Sequence, residues 1–388
     1  MKGLRAPVHA AALLVATVLA LGSSLSSAGV LPEDRADLLY HRYDGGGVTI
    51  DGPSLLVRKK FLEQFSVAAN YYVDMVSSAS IDVITTASPY EEERTQYSLS
   101  VDALRGKTSY SAGYSNSEES DYEANTAYLS LSQDLFGDLT TISMGFSRGW
   151  DTVRQRDVDG SGVDPNFEER TDRRTYTLGL TQVLTKNMIL GGSYEVITDE
   201  GFLNNPYRTV RYLDEVGVVA RQDERYPRTR TSNSFSVRTR YHLPYRAAVS
   251  GQYRFFTDTW GILAHTGELG YTHPWGSRWI FDGKLRYYTQ EAADFYSDLF
   301  PRQDALNFLA RDKELSTFVS SSVGLGASYE VPFKLPRFIK KGTLNLRWEH
   351  IWFDYEDFRD TRVNAPAGSE PLYQFEADVV QLFASIWF

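Results

Sequence analysis

Apolar and polar residues alternate through most of the chain beyond residue 35, in segments of about 10 to 16 residues. The clearest alternation covers 65–75, 96–103, 234–243 and 322–331. Because successive side chains of a strand point to opposite faces, this pattern predicts strands with one apolar and one polar face. Turn sequences and longer, charged stretches rich in Pro and Gly separate these segments.

Sixteen strands account for the pattern, counted back from the C-terminus. They are predicted at 36–43, 50–62, 65–77, 93–104, 108–118, 122–136, 139–152, 171–184, 188–199, 229–243, 246–258, 264–274, 279–291, 315–331, 342–357 and 373–388. The long connections, near 78–92, 153–170, 200–228, 292–314 and 358–372, would all lie at one end of the strands. Short turns at one end and long loops at the other are typical of outer-membrane barrels. The predicted fold is therefore all-β: a transmembrane, antiparallel, up-and-down β-barrel of about 16 strands with both termini in the periplasm.

The last strand ends the chain on an aromatic residue. One face of residues 378–388 is apolar and the other carries Gln381 and Ser385. The apolar face consists of Val380, Leu382, Ala384, Ile386 and Phe388. A terminal amphipathic strand of this kind predicts the insertion signal read by the barrel-assembly machinery, and the alternative is the last strand of a soluble sandwich.

The N-terminus predicts export. Lys2 and Arg5 precede a short apolar segment at 11–21, and small residues follow up to Ala28, so residues 1–28 are interpreted as a signal peptide and 29–388 as one barrel domain. The chain has no cysteine, which excludes a lipoprotein, a disulfide framework and thiolate metal sites. The net charge of -10 argues against a nucleic-acid partner. The expected location is the outer membrane of a Gram-negative bacterium, in contact with lipid and lipopolysaccharide.

The predicted inner faces carry most of their charge in the second half of the chain, whereas the first half offers mainly Ser, Thr, Asn, Gly and Asp. The candidate lumen residues are the cations Arg230, Arg238, Arg240, Arg246, Arg254, Lys284, Arg286 and Arg347, and the carboxylates Glu268, Asp282 and Glu349. A barrel of about 16 strands is wide enough for a water-filled lumen, where such a wall would favour anions. The alternative is a salt-bridge network that only compensates inward charges.

Residues 157–168 match the spacing of a calcium-binding loop. Asp157, Asp159 and Ser161 occupy positions 1, 3 and 5, Gly162 occupies position 6, and Glu168 occupies position 12. Position 8 carries a carboxylate instead of the usual hydrophobic residue, and no flanking helices are expected. The two interpretations are a weak external calcium site and an acidic, Gly-rich hairpin loop. No other cofactor is expected.

The connection at 200–228 is rich in arginine. Its cations are Arg208, Arg211, Arg221, Arg225 and Arg228. They predict docking of an acidic partner, of lipopolysaccharide phosphates or of the barrel's own acidic loops, and the alternative is a surface loop that balances its neighbours' charge. An enzymatic function is not expected, because the histidines lack metal-ligand spacing and no Gly-x-Ser-x-Gly motif is present.

Four long segments, at 76–90, 199–212, 245–265 and 286–301, resemble domain of unknown function 3570, a family of bacterial outer-membrane proteins. The resemblance implies an outer-membrane barrel but carries over no functional residue. It also implies a small lipoprotein or a periplasmic redox or maturation protein as a partner. The expected function is a porin-like channel for small anionic or polar solutes. The alternative is a scaffold or assembly barrel that acts through its loops and its periplasmic rim.

Overall fold

The computed structural model describes residues 30–78, 90–156, 162–332 and 338–388. Sixteen strands form the barrel: β1 (Arg35–Gly45), β2 (Val48–Phe61), β3 (Phe65–Ser78), β4 (Tyr90–Arg105), β5 (Thr108–Glu118), β6 (Tyr122–Leu135), β7 (Thr140–Arg156), β8 (Val163–Thr185), β9 (Met188–Gly201), β12 (Thr229–His242), β13 (Ala248–Asp258), β14 (Leu263–Trp275), β15 (Trp279–Gln290), β16 (Phe318–Glu330), β17 (Lys341–Arg359) and β18 (Leu372–Trp387). Strands β10 (Thr209–Leu213) and β11 (Val219–Asp223) form a separate hairpin, and Lys313–Leu315 form a turn of 3₁₀ helix.

The barrel closes because β1 pairs with β18 on one side and β2 on the other, both antiparallel. Every other barrel strand pairs with its neighbours along the chain, except that β9 pairs with β12 across the β10–β11 hairpin. This arrangement confirms the predicted closed, antiparallel, 16-strand barrel. The sequence pattern missed the hairpin and placed the start of β8 at 171 instead of Val163, because the extra β7–β8 pairing lies in a charged segment without apolar alternation.

The barrel has two unlike ends. The terminal end carries the start of β1, the end of β18 and compact turns such as 106–107, 186–187 and 276–278. The loop end carries the connections 202–228, 291–317 and 360–371. The β1–β2 turn at the loop end is short, and its residues Gly46 and Gly47 have φ angles of +59° and +79°. This left-handed pair suits the two-residue turn that matches the twist of antiparallel strands.

The two faces of the barrel wall differ in chemistry. Large apolar side chains such as Leu99, Leu285 and Leu382 are more than half exposed on one face. On the other face, Lys284 of β15 binds Glu349 of β17 across β16, with Nζ and Oε2 2.7 Å apart. A side chain reaches over an intervening strand most readily on the concave side, so the charged face lines the interior and the apolar face points outward. Within the described part of the chain, no helix is both long and apolar enough to cross a membrane.

The last strand follows the same alternation. Val380, Leu382 and Ile386 are exposed on the outer face, and Ser385 is buried on the inner face. Ala384 lies on the outer side between them and is half-buried. Phe388 follows the end of β18, and the Lys59 ammonium group lies 5.0 Å from its ring centroid. The terminal aromatic ring is therefore held at the terminal end of the barrel, beside β2.

Candidate functional site: the inner wall and the loop-end cap

Part of the cationic wall predicted from the sequence consists of ion pairs. Arg230 binds Asp258 at 2.5 Å, and Lys284 binds Glu349 at 2.7 Å. Arg254 reaches across β12 to Glu195 of β9 at 3.4 Å. These cations are compensated locally and contribute little net field to the lumen.

Four cations of the wall have no ion pair among the described residues: Arg238, Arg240, Arg286 and Arg347. Arg240 and Arg347 are exposed, while Arg238 and Arg286 are half-buried. Arg286 lies opposite the Glu268 carboxylate in the β14–β15 register, but the two form no ion pair. The Asp282 carboxylate accepts a 2.8 Å hydrogen bond from Thr272. The inner face from β12 to β17 therefore carries an excess of positive charge.

Glycine on the inner face makes room for these long side chains. A Cβ atom added to Gly191 would lie 3.2 Å from Arg238 Nε, and one added to Gly324 would lie 3.3 Å from Lys284 Cε. Each cationic side chain thus crosses the neighbouring strand where that strand has no side chain. Glycine in a strand commonly marks such a close approach.

Arg246 does not belong to this wall. It lies in the turn between β12 and β13, has a φ of +68° and is exposed at the terminal end. The predicted strand started at 246, whereas β13 starts at Ala248. Pro244 cannot donate a ladder hydrogen bond, which favours a longer turn here.

The first half of the wall is also ionic, which the sequence analysis underestimated. Arg58 of β2 binds Asp102 of β4, and Arg173 of β8 binds Asp199 at 2.6 Å. The fully buried His41 ring stacks on Tyr72, and its Nε2 lies 2.7 Å from Asp74 Oδ1. A residue-by-residue count of inward positions on each predicted strand would have found these charges, but not their partners on other strands.

Three connections fold together over the mouth at the loop end, and we call 202–228, 291–317 and 360–371 the cap. The 202–228 connection spans the mouth. Tyr207 donates a 2.6 Å hydrogen bond to Asp121 in the β5–β6 connection, whereas Arg211 donates to Glu370 in the β17–β18 connection. Around the barrel, eight strands separate these two connections in one direction and four in the other. The contacts therefore join two well-separated parts of the rim.

A buried ionic latch holds the cap, defined by Arg211, Asp298 and Glu370. The Arg211 guanidinium is 5% exposed and donates to both carboxylates, including a 3.2 Å hydrogen bond to Glu370 Oε2. Arg311 is a second buried cation that binds Asp298 at 2.9 Å. Two guanidinium groups therefore face two carboxylates, so the charges compensate each other within the cap.

Apolar clusters complete the cap. The 202–228 and 291–317 connections share two clusters, one of Val210 with Phe300 and one of Tyr226 with Phe295, and the second also includes Trp260 at the rim. A third cluster, on the inner face near the loop end, consists of Phe318, Phe353, Tyr355, Phe358, Tyr373 and Ala377. Burial of these side chains favours the closed arrangement.

The arginines at 200–228 bind the barrel's own acidic groups, one of the three partners that the sequence suggested. Arg208 binds Asp312, Arg225 binds Asp304 at 3.2 Å, and Arg228 binds Glu169 at 2.6 Å. Together with Arg211, four of the five arginines in this connection pair within the chain.

The calcium-loop hypothesis is only partly covered by the structure. Asp157, Asp159 and Ser161 lie outside the described residues. Glu168 lies in β8, where its carboxylate is 3.5 Å from Arg154 and 3.8 Å from Arg170. The calcium site at this loop stays a prediction.

Comparison with known proteins supports the fold. Residues 81–350 match the family described as protein of unknown function DUF3570. The chain belongs to this family. No curated protein matches the sequence.

Among solved structures, this DUF3570 member is similar to a bacterial polysaccharide outer-membrane secretin. The TM-score is 0.50 at 10% identity, and the match covers 92% of this chain and 100% of the secretin. It also matches the siderophore receptor PirA from Acinetobacter baumannii (TM-score 0.45, 10% identity, 92% of this chain and 60% of the receptor). A FadL homologue from Pseudomonas aeruginosa matches with a TM-score of 0.43 at 11% identity, over 92% and 91% of the two chains. The closed 16-strand barrel and the match to the secretin show the outer-membrane barrel fold.

Proposed function

We propose that the protein is an outer-membrane channel for small anionic or polar solutes, with a cap that closes its external mouth. The terminal end would face the periplasm and the loop end the outside of the cell, as in other barrels with short periplasmic turns. The observation that carries the proposal is the excess of inner-wall arginines without ion pairs between β12 and β17. In a lumen with low-dielectric walls, such cations lower the barrier for anions.

The cap favours a gated channel rather than a permanently open pore. Its central connection contacts two well-separated parts of the rim, and a buried ionic latch and apolar clusters hold it there. A scaffold function acting through the arginine-rich connection has less support, because most of those arginines bind carboxylates of the same chain.

The experiment is a reversal-potential measurement on the refolded barrel in a planar bilayer under a potassium chloride gradient. The test variant replaces Arg238, Arg240 and Arg347 together by Gln. Arg254 stays unchanged because it already pairs with Glu195. We expect the wild type to prefer chloride, and we expect the variant to lose most of that preference because the wall loses three cations without ion pairs.

The matched control removes the same charge at the terminal end, away from the predicted solute path. It replaces Arg105, Lys107 and Arg278 by Gln, and it should keep the wild-type reversal potential. An unchanged reversal potential in the wall variant would contradict the proposal. The absence of current from a folded barrel, both in the wild type and after the latch is broken by Arg211→Met, would contradict the channel itself.

A further inference from the structure

A carboxylate cluster lies at the loop end, apart from the inner-wall arginines and the latch. Glu92 comes from β4, and Glu119 and Asp121 come from the β5–β6 connection. One oxygen from each carboxylate lies within 4.8 Å of one oxygen from each of the others. Two oxygens on opposite sides of a Ca²⁺ ion, each at about 2.4 Å, would be separated by about this distance.

One carboxylate oxygen of a cluster residue is buried without a hydrogen-bond donor. Asp121 is fully buried, and its Oδ2 accepts the hydrogen bond from Tyr207. Its Oδ1 is also buried, but no group among the described residues donates to it. A buried carboxylate oxygen without a donor is costly, and in native proteins it calls for a water or an ion.

The cation Arg94 is shared between the cluster and a carboxylate outside it, because its Nε lies 3.9 Å from Glu119 and its Nη1 lies 3.9 Å from Asp74. Ser120 stabilises Glu92 through its backbone N–H and its hydroxyl group, which both donate to Oε1.

We propose that Glu92, Glu119 and Asp121 bind a calcium ion at the rim of the barrel. Carboxylate oxygens are preferred ligands of Ca²⁺, and the cluster contains no nitrogen or sulfur ligand that would favour a transition metal. Because Tyr207 joins Asp121 to the 202–228 connection, the ion would stabilise one attachment of the cap. Its ligands are different residues from those of the predicted calcium loop at 157–168, and the proposal does not depend on the channel function.

The test is metal binding to the full-length, refolded barrel in detergent, with terbium as a luminescent substitute for calcium. Tyr122 and Tyr207 lie beside the cluster and would sensitise bound terbium. We expect saturable luminescence that calcium competes away, and an independent binding signal in calorimetry with calcium alone. The Glu119→Gln/Asp121→Asn variant keeps an acceptor oxygen for Tyr207, and it should bind terbium at least tenfold more weakly.

Two control variants distinguish binding at this cluster from binding through the Tyr207 hydroxyl group or at the loop 157–168. Tyr207→Phe keeps all three carboxylates and should still bind the ion, and Asp157→Asn/Asp159→Asn should leave this binding unchanged. Folding of each variant is checked by its heat-modifiable mobility on an SDS gel, and Glu92→Gln replaces the double variant if that one does not fold. The proposal would be overturned if the wild type gave no saturable signal, or if carboxylate substitution left binding unchanged.

Discussion

Replacing Arg211 by Met tests whether the cap closes the channel. Arg211 is 5% exposed and is the cation shared by Asp298 and Glu370. The substitution preserves most of the side-chain volume but removes the guanidinium group. Because the barrel ladder does not involve β10, the barrel should stay folded while the cap opens more often.

The size of the effect follows from what each carboxylate retains. Removing one partner of a buried ion pair typically costs about 3 to 5 kcal/mol. Asp298 would still bind Arg311, and Glu370 would still accept the Gly368 N–H at 2.7 Å, so we expect the lower end of this range. About 3 kcal/mol corresponds to a change of roughly a hundredfold in the ratio of closed to open cap.

Single-channel recording measures this ratio as the fraction of time spent open. Arg225→Met is the matched control, because the Arg225 and Asp304 side chains are half-exposed or more and such a pair contributes at most about 1 kcal/mol. Adding Glu370→Gln to Arg211→Met should restore part of the closed population, since it removes the uncompensated charge. If Arg211→Met and Arg225→Met had the same open fraction, the latch interpretation would be refuted.

Acid should also weaken the latch. Burial alone would raise the pKa of Glu370, but the hydrogen bonds from Arg211 outweigh it and lower the pKa below its ordinary value of 4.5. The latch therefore stabilises the closed cap fully above pH 4.5, and this contribution is lost as the pH falls through the lowered pKa. The open fraction should rise at the acid limit in the wild type, whereas Arg211→Met should show a smaller rise.

Three further predictions concern the cap, the wall and the C-terminus. Burial raises the pKa of Glu224 to about 7 from 4.5, so the closed cap should lose stability as the pH rises between these values. The open fraction should rise over this range in the wild type and stay flat in Glu224→Gln, and an equal rise in both would contradict the prediction. An alanine Cβ at Gly52 would lie 1.9 Å from the Val73 carbonyl oxygen. Gly52→Ala should therefore destabilise the barrel by about 1 to 3 kcal/mol. The folded band on an SDS gel should then be lost at a lower temperature. Gly267→Ala, whose Cβ would meet no neighbouring atom within 4 Å, should lower that temperature much less. Deleting Phe388 should reduce the amount of folded barrel in outer-membrane fractions several-fold, and normal assembly would remove support for the insertion-signal interpretation.

Parts of the candidate site could be predicted from the sequence. Strand alternation alone placed Arg238, Arg240 and Arg347 on the inner face, because a side chain's face depends only on its position within its own strand. It could not show that Arg254 pairs with Glu195, which lies two strands away in the barrel. The error at Arg246 has a local origin, since a shift of two residues at a strand start moves a side chain from the wall into a turn.

The sequence by itself determined the barrel. Period-two alternation, repeated over sixteen strands, allows one face to meet lipid only when every backbone group pairs in a closed sheet. The tertiary structure alone decided what closes the mouth and which charges are left without partners. Arg211 and Glu370 are 159 residues apart, and Tyr207 and Asp121 are 86 residues apart. Such contacts depend on how loops fold across the rim, and no local pattern of hydrophobic and polar residues encodes that geometry.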